Sequence, residues 1–425
     1  MESLPAPQRR LHAIHSHLLP PSTDHPPHSH LHANLTAGEF AHGHGYSVVL
    51  PEKLHTGKWD VHRSARSPFN LVSRFADHPQ IGTLHDNFVR SVEVFRDYKF
   101  LGTRNRWMEL WRVSWFVLCS LIVRNFNSFS MYKWMTYGEA ATAREAIGSG
   151  LRFHGLEKGA CVGLYFINRP EWLIVDYACS AYSFISVPLY DTLGPDAVKY
   201  AVNHAGVQAV FCAPQTLSTM LTFVSEIPSV QLIVVVGGMD EHLPSLPSTS
   251  RVKLISYLKL ISQGRSNLQP FCPPKPEDVA TICYTSGTTG TPKTSLLVLI
   301  VFLYPLLPLK KGVVLTHGNF IANAAGFCHA VTFYPSDIYI SYLPLAHIYE
   351  RTNQIISVYY GVAIGFYQGD NLKLMDDLVA LRPTLFCSVP RLYNRIYAGI
   401  ANSVKKSGTL RRDCFKLPTV PRSNP

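Results

Sequence analysis

The sequence lacks paired cysteines and a hydrophobic leader, and these absences exclude two classes of protein. Its nine cysteines form no Cys-x-x-Cys pair, and several of them, such as Cys161 and Cys212, lie inside apolar runs. This pattern favours buried thiols in a reducing compartment over a disulfide framework or a zinc site. The first residues are rich in proline and histidine without an apolar stretch, so we expect no secretory signal peptide there.

Blocks of like charge are also missing. Charged residues make up 16% of the chain, and its formal net charge is +11. The basic residues are spread out with no run of five like charges, which argues against a nucleic-acid partner. The positive excess would suit an anionic partner such as a nucleotide, CoA or a lipid surface. Because 47% of the residues are hydrophobic, the chain can bury a large core.

Two nucleotide-binding signatures and a membrane span are absent as well. No Gly-x-Gly-x-x-Gly motif joins a strand to a helix, and Gly237-Gly238 alone does not indicate NAD binding. The Walker spacing of glycine and Gly-Lys is not present either. The apolar stretch from Leu296 to Leu309 is shorter than the roughly 20 residues of a membrane-spanning helix, and two prolines interrupt it.

From Tyr132 onward, short apolar runs typical of strands alternate with longer helical segments. The predicted strands are Tyr132–Tyr137, Cys161–Ile167, Ile185–Leu189, Val207–Cys212 and Gln231–Val236, and the predicted helices are Gly138–His154, Pro170–Tyr182, Pro195–His204 and Thr216–Glu226. Buried strands separated by helices predict an α/β fold with a parallel sheet covered on both faces.

A proline-rich segment, Gln269–Glu277, is typical of a linker between subdomains. A second block follows it, with predicted strands at Asp278–Tyr284, Val313–Thr316, Ile338–Leu343 and Thr384–Val389, and helices from about His317, at Asn371–Leu381 and from Pro390. The pattern therefore predicts two successive blocks of strands and helices.

A loop rich in glycine and threonine follows the first strand of this second block. Gly287 and Gly290 let the backbone adopt positive φ and approach phosphates closely, and Lys293 supplies a positive charge for a leaving pyrophosphate. Hydroxyl donors surround the glycines, from Thr285, Ser286, Thr288, Thr289 and Thr291. These residues predict a phosphate-binding loop, placed between two strands, whose hydroxyls can also help to hold the Mg²⁺ that accompanies ATP.

The segment Tyr284–Lys293 resembles the phosphate loop of the adenylate-forming superfamily. Tyr342–Glu350 resembles the acyl-pocket motif of long-chain acyl-CoA synthetases, and Ser388–Tyr393 resembles the motif that follows it. Asn168–Trp172 and Pro188–Gly194 are similar to further segments of that family. The resemblance runs from about residue 46 to residue 408, except for two stretches.

This resemblance implies the N-terminal domain of an AMP-binding enzyme, with parallel sheets covered by helices. It also implies a two-step reaction in which a long-chain fatty acid and ATP form an acyl-adenylate, and CoA then displaces AMP. The implied ATP-binding residues are Tyr284, Thr285, Ser286, Gly287, Thr288, Thr289, Gly290, Thr291 and Lys293, with Thr285 as the Mg²⁺ ligand and Thr288, Lys293 and His347 as catalytic residues. His347 would lie near the fatty carboxylate; Arg391 either contacts the substrate or only begins a helix.

The sequence departs from the family pattern in three places. Residues 105–131 and 294–311 are expected to be inserts, and the second separates Lys293 from Gly312, so that Lys311 is a second candidate for the loop lysine. Later family motifs and the C-terminal lid are not found, and residues 409–425 do not follow the family pattern. Residues 46–425 are therefore predicted to form a truncated AMP-binding domain.

The segment before residue 46 is predicted to be a disordered leader because it is rich in proline and histidine. Within it, Arg10-Leu11 and His17-Leu18, five residues apart, resemble the N-terminal peroxisomal targeting nonapeptide. As a helix the segment would place these four side chains on one face, which a receptor could recognise. With this leader the whole chain resembles the plant-type peroxisomal member of the family, which implies a peroxisomal location and an import receptor as partner.

Three other functions remain open at this level. The chain could be catalytically inactive and only bind nucleotide, fatty acid or a partner. It could contact a membrane through the apolar insert at residues 294–311. It could also act on aromatic acids, as coumarate ligases do, although the motif around His347 and the leader count against that.

Overall fold

The computed structural model describes residues 47–53, 60–64, 71–104, 132–237, 243–244, 251–285, 311–328 and 331–406. The described residues up to Leu385 form one compact unit, and those from Phe386 form a second. The leader, both predicted inserts apart from Lys311, and the predicted tail lie outside the described residues. So do Ser286, Gly287, Thr288, Thr289, Gly290, Thr291 and Lys293 of the predicted phosphate loop.

The strands of the first unit are β1 Ser47–Lys53, β2 Asp60–Ser64, β3 Lys99–Arg104, β4 Tyr132–Thr136, β5 Cys161–Tyr165, β6 Ile185–Pro188, β7 Val207–Cys212, β8 Leu232–Val235, β9 Lys253–Ser256, β10 Val279–Thr285, β11 Lys311–Thr316, β12 Ile338–Ser341 and β13 Ala363–Phe366. Its helices are α1 Leu84–Phe95, α2 Tyr137–Phe153, α3 Pro170–Ala181, α4 Pro195–Ala205, α5 Pro214–Leu221, α6 Tyr257–Ser266, α7 His317–Cys328, α8 Ile348–Tyr359 and α9 Leu374–Leu381, with short 3₁₀ turns at Val224–Glu226 and Asn371–Lys373. The second unit contains α10, Pro390–Lys406.

The larger sheet has seven strands in the order β11-β10-β6-β5-β7-β8-β9. All its neighbouring strands are parallel except β10 and β11. Every residue of β5 and of β8 is buried, as expected for strands covered on both faces. The predicted α/β fold with helix-covered parallel strands is therefore confirmed.

The smaller sheet has four strands in the order β12-β13-β3-β4. The first three run parallel, and β4 pairs antiparallel with β3. Capping boxes fix two of the surrounding helix starts: Thr83 with Asp86 begins α1, and Thr136 with Glu139 begins α2. Proline in the first turn begins α3, α4 and α5, as its fixed φ favours.

Two sequence predictions are wrong in this region. The proline-rich segment is not a linker between subdomains, because β10 joins the same sheet as β5 and β6. The segment is also bonded to the end of α3 and the turn after it: the backbone amide of Cys272 donates to the Ala181 carbonyl at 3.0 Å, and the Ser183 hydroxyl donates to the Cys272 carbonyl at 2.7 Å. The proline-rich segment therefore runs along the surface of the first unit and is part of it.

The predicted strand Thr384–Val389 is also wrong, since only an isolated bridge joins Leu385 to Tyr339. The amides of Thr384 and Leu385 both donate to the carbonyl of Ile338, so the backbone does not continue in ladder register. The predicted helix Thr216–Glu226 is shorter than expected, ending at Leu221 before a separate 3₁₀ turn.

Candidate functional site

The strand that leads into the predicted phosphate loop is β10, whose last residue is Thr285. It pairs antiparallel with β11, so that Tyr284 lies opposite Gly312 and Thr285 opposite Lys311. The loop thus connects two strands, as predicted from the sequence. Because β10 is parallel to β6, it ends at the same sheet edge as β5 to β8, the edge at which open α/β sheets bind ligands.

Tyr284 is buried, and its hydroxyl lies 2.7 Å from Nδ1 of His204 on α4. Burial raises the pKa of Tyr284 to about 12, so the phenol stays protonated at neutral pH. A Cβ at Gly312 would lie 3.0 Å from Cγ2 of Ile282, so the glycine lets the side chain of Ile282 pack close to β11. The side chain of Tyr284 is therefore engaged within the fold, where it holds the end of β10.

His347 is the N-cap residue of α8. Its Nδ1 accepts from the amide of Tyr349 at 3.2 Å, and its own amide donates to the Pro344 carbonyl at 2.9 Å. Because Nδ1 accepts, the neutral ring carries its proton on Nε2. The side chain is exposed, so Nε2–H is a donor that a carboxylate oxygen can reach.

The segment before His347 is held by Asn168, which follows β5 at the ligand-binding edge of the large sheet. The side-chain amide of Asn168 donates to the Leu343 carbonyl at 2.7 Å and to the Ser341 hydroxyl at 2.9 Å. Its carbonyl accepts from the amide of Leu345 at 2.9 Å. The loop that carries His347 is therefore bonded to the same sheet edge at which β10 ends.

Glu350, in the first turn of α8, has no exposed surface. It accepts hydrogen bonds from the hydroxyls of Tyr339 and Ser341 at 2.5 and 2.7 Å, and from the side-chain amide of Gln354 at 2.7 Å. Burial raises the pKa of Glu350 to about 7, and the three donors only partly oppose that shift. Glu350 thus joins the start of α8 to β12 of the smaller sheet.

Arg351 joins the same helix turn to the larger sheet. Its guanidinium donates to Asp176 on α3, and to the Thr281 hydroxyl on β10 at 2.8 Å. The rings of Phe320 and Trp172 lie 4.8 and 5.6 Å from its central carbon, within the range of cation–π attraction. Thr281 is on β10, the strand that ends at Thr285. Buried Arg351 therefore connects α8, the helix that His347 caps, to the strand that leads into the predicted phosphate loop.

The structure describes the other predicted site residues, Thr285, Lys311 and Arg391, less fully. The side chains of Thr285 and Lys311 lie outside the described residues, although their backbones are in β10 and β11. Arg391 belongs to the second unit, where it is exposed in the first turn of α10. In the same unit the Tyr393 hydroxyl donates to the Phe386 carbonyl at 2.7 Å.

Sequence reasoning did not single out Asn168, Asp176, Glu350 or Arg351 individually. Asn168 and Glu350 lie within segments that resemble the family, but no pattern in the sequence marks either residue by itself. Asp176 gave a usable signal, because an acid inside the apolar run Trp172–Ala181 needs a buried partner. Within the part of the chain that the structure describes, no three His, Cys, Asp or Glu side chains cluster as metal ligands.

Comparison with known proteins adds a family model described as "AMP-binding enzyme", which matches residues 121–297 and 309–416. Among curated proteins, the chain is 61% identical over 421 residues to the Arabidopsis thaliana "Long chain acyl-CoA synthetase 7, peroxisomal", covering 98% of this chain and 55% of that protein. It is 63% identical over 406 residues to "Long chain acyl-CoA synthetase 6, peroxisomal" of the same organism, covering 96% and 52%.

Solved structures show the same fold. A long-chain-fatty-acid-CoA ligase from Archaeoglobus fulgidus matches with a TM-score of 0.57 at 19% identity, over 80% of this chain and 57% of that one. The A-PCP didomain of a carboxylic acid reductase from Segniliparus rugosus matches with a TM-score of 0.59 at 16% identity, over 78% and 46%. The chain spans about half the length of these two curated relatives.

Proposed function

Since the chain belongs to the AMP-binding enzyme family, we propose that it activates long-chain fatty acids to acyl-CoA with ATP. One geometric observation carries the proposal. The loop of His347 is bonded through Asn168 to the sheet edge at which β10 enters the predicted phosphate loop. A carboxylate held at His347 and a triphosphate held beyond Thr285 would meet at that edge.

The first step joins the fatty acid to AMP. A carboxylate oxygen attacks the α-phosphorus of ATP, the bond between the α-phosphorus and the bridging oxygen breaks, and pyrophosphate leaves. His347 Nε2–H would orient the carboxylate by donating to one oxygen while the other attacks. Positioning of this kind, together with charge stabilisation, accounts for most of the catalysis in phosphoryl and nucleotidyl transfer.

The phosphate loop would act on the departing group. The backbone N–H groups at Gly287 and Gly290 and the hydroxyl of Thr288 would donate to phosphate oxygens, and Lys293 would offset the charge that develops on pyrophosphate. Lys311 is the alternative for this role, because it directly precedes Gly312 and its backbone lies opposite Thr285.

Magnesium and CoA complete the proposed chemistry. Mg²⁺ would arrive with ATP and be bound mainly by phosphate oxygens, with the Thr285 hydroxyl as a protein ligand. CoA would then attack the acyl carbonyl through its thiolate sulfur, forming the thioester and releasing AMP.

We further propose that the protein works in the peroxisome. Two relatives carry "peroxisomal" in their names, and Arg10-Leu11 with His17-Leu18 supports delivery by an import receptor. Contact of residues 294–311 with a membrane surface stays a prediction. Among the described residues, no helix has the length and apolar character needed to span a bilayer.

The test is pyrophosphate release with palmitate, ATP and Mg²⁺, using the full chain and a variant that lacks residues 294–311. We expect release that requires all three components. Binding of ATP and palmitate without release would instead support a chain that binds the substrates but does not join them. Absence of Mg²⁺-dependent ATP binding in both proteins would overturn the proposal.

A further inference from the structure

We propose that Asn168 is a positioning residue that sets the place and orientation of His347, and that Ser341 and Glu350 fix the orientation of Asn168. This inference rests on the proposed function only in taking His347 as the residue that meets the fatty carboxylate. The contacts that carry it are within the larger unit and do not involve the phosphate loop.

Asn168 is 5% exposed and uses both ends of its side-chain amide. Its NH₂ group donates to the Leu343 carbonyl and to the Ser341 hydroxyl, and its oxygen accepts from the amide of Leu345. Two backbone groups that flank Pro344 are thereby fixed to one side chain. Asn168 closely follows β5, the central strand of the larger sheet, so these contacts connect the segment around Pro344 to the middle of that sheet.

The orientation of the Asn168 amide follows from its neighbours. When Glu350 is ionised, the hydroxyl of Ser341 gives its only proton to that carboxylate, at 2.7 Å, so toward Asn168 it can only accept. The nitrogen of Asn168 must therefore face Ser341, which leaves its oxygen for Leu345. If the amide were flipped, oxygen would face the Leu343 carbonyl at 2.7 Å, an arrangement without a proton between them.

The position of His347 depends on this anchor through two backbone contacts. Its amide donates to Pro344, which lies between the two residues bonded to Asn168, and its Nδ1 accepts from Tyr349 to cap α8. Loss of Asn168 would release the segment that enters the cap. The Nδ1 acceptor contact would then be made only part of the time, and the ring would populate both neutral tautomers.

The first measurement is the ¹⁵N NMR spectrum of the full chain with labelled histidine, with the His347 signal assigned by its disappearance in His347→Gln. In the wild type we expect the signature of a protonated Nε2 and an accepting Nδ1. In Asn168→Ala we expect an averaged tautomer signal, and in Ser341→Ala a smaller shift in the same direction. The control is Asn87→Ala, since Asn87 is also buried and bonds to α8, but at Ile355, two turns away.

The second measurement is palmitate affinity. Asn168→Ala should weaken it roughly tenfold, the equivalent of about 1.4 kcal/mol, whereas Asn87→Ala should leave it unchanged. In a His347→Ala background, Asn168→Ala should have almost no further effect, because a positioning residue acts only through the group it positions.

The outcomes separate the two proposals. If the wild type binds no palmitate, the proposed function fails, and the histidine spectrum alone decides the role of Asn168. If the wild type binds palmitate but Asn168→Ala changes neither the His347 signal nor the affinity, the positioning role is refuted. Equal losses with and without His347 would also refute it, because they would show a general structural effect.

Discussion

Nη2 of Arg351 lies 2.8 Å from Oδ1 and 2.9 Å from Oδ2 of Asp176, and the arginine side chain is only 2% exposed. The two residues are far apart in the sequence, on α8 and α3. Helix α3 packs against β6 of the larger sheet, and Arg351 also donates to Thr281 on β10 of that sheet. Burying two charges is costly unless each meets its partner, so removal of one leaves the other unpaired in the interior.

Arg351→Met should therefore destabilise the larger unit by about 3–5 kcal/mol. The matched control is Lys158→Met, because Lys158 and Asp278 form an ion pair that is largely exposed, and such pairs contribute about 0–1 kcal/mol. Urea denaturation followed by intrinsic fluorescence gives both values. Equal stability of the two variants would contradict a structural role for the buried pair.

The raised pKa of Glu350 predicts that the stability of the fold depends on pH. Its folded pKa of about 7 lies above the ordinary value of 4.5, so the folded chain keeps a proton that the unfolded chain releases. The free energy of unfolding should therefore fall as the pH rises from about 4.5 to 7, by about 3 kcal/mol from this residue.

Glu350→Gln should flatten that part of the profile, since glutamine cannot titrate, while its side-chain oxygen can still accept from Ser341. The measurement is the unfolding free energy of wild type and variant across this pH range. Parallel profiles in the two proteins would show that Glu350 does not titrate as described.

His347 combines two roles that substitution can separate. Asparagine can replace the Nδ1 acceptor, because it is among the preferred N-cap residues, but it has no group in the position of Nε2. His347→Asn should keep the stability of the wild type and lose palmitate-dependent pyrophosphate release by roughly 100-fold.

His347→Ala should lose the same activity and also about 1 kcal/mol of stability, since alanine cannot cap the helix. Thermal unfolding and the pyrophosphate assay are run on both variants. Full activity of His347→Asn would rule out a substrate contact through Nε2.

Lys293 and Lys311 can be distinguished by single substitutions. We expect Lys293→Met to lower pyrophosphate release by roughly 100-fold, because methionine keeps the length of the side chain without its charge. Lys311→Met should change it little, and Lys310→Met serves as a neighbouring control. The opposite result, with Lys311→Met inactive, would assign the role to the lysine beside Gly312.

Local sequence patterns predicted much of the fold because strand bounds and helix starts depend mainly on residues that are close in the sequence. The strand Val207–Cys212 has the predicted bounds, and Pro170 and Pro195 begin helices as expected. The pairing of β10 with β6, through Thr281 and Ser186, could not be predicted, since it joins distant segments by backbone hydrogen bonds that leave no local pattern.

The candidate site shows the same limit. His347 was predicted from its motif, and the structure gives it a capping contact and an available Nε2. Asn168, Glu350 and Arg351 support it through contacts with residues remote in sequence, such as Leu345, Ser341 and Asp176. Such networks depend on which elements become neighbours in the folded chain, and spacing alone does not determine that.

The register that sets Thr285 opposite Lys311 fixes both ends of the connection between β10 and β11. Once the ends are fixed, each doubling of a flexible connection costs only about 0.6 kcal/mol in closure entropy. Extra residues at this point therefore need not shift either strand along its partner. The connection between β10 and β11 can therefore differ greatly in length while the register of the two strands stays the same.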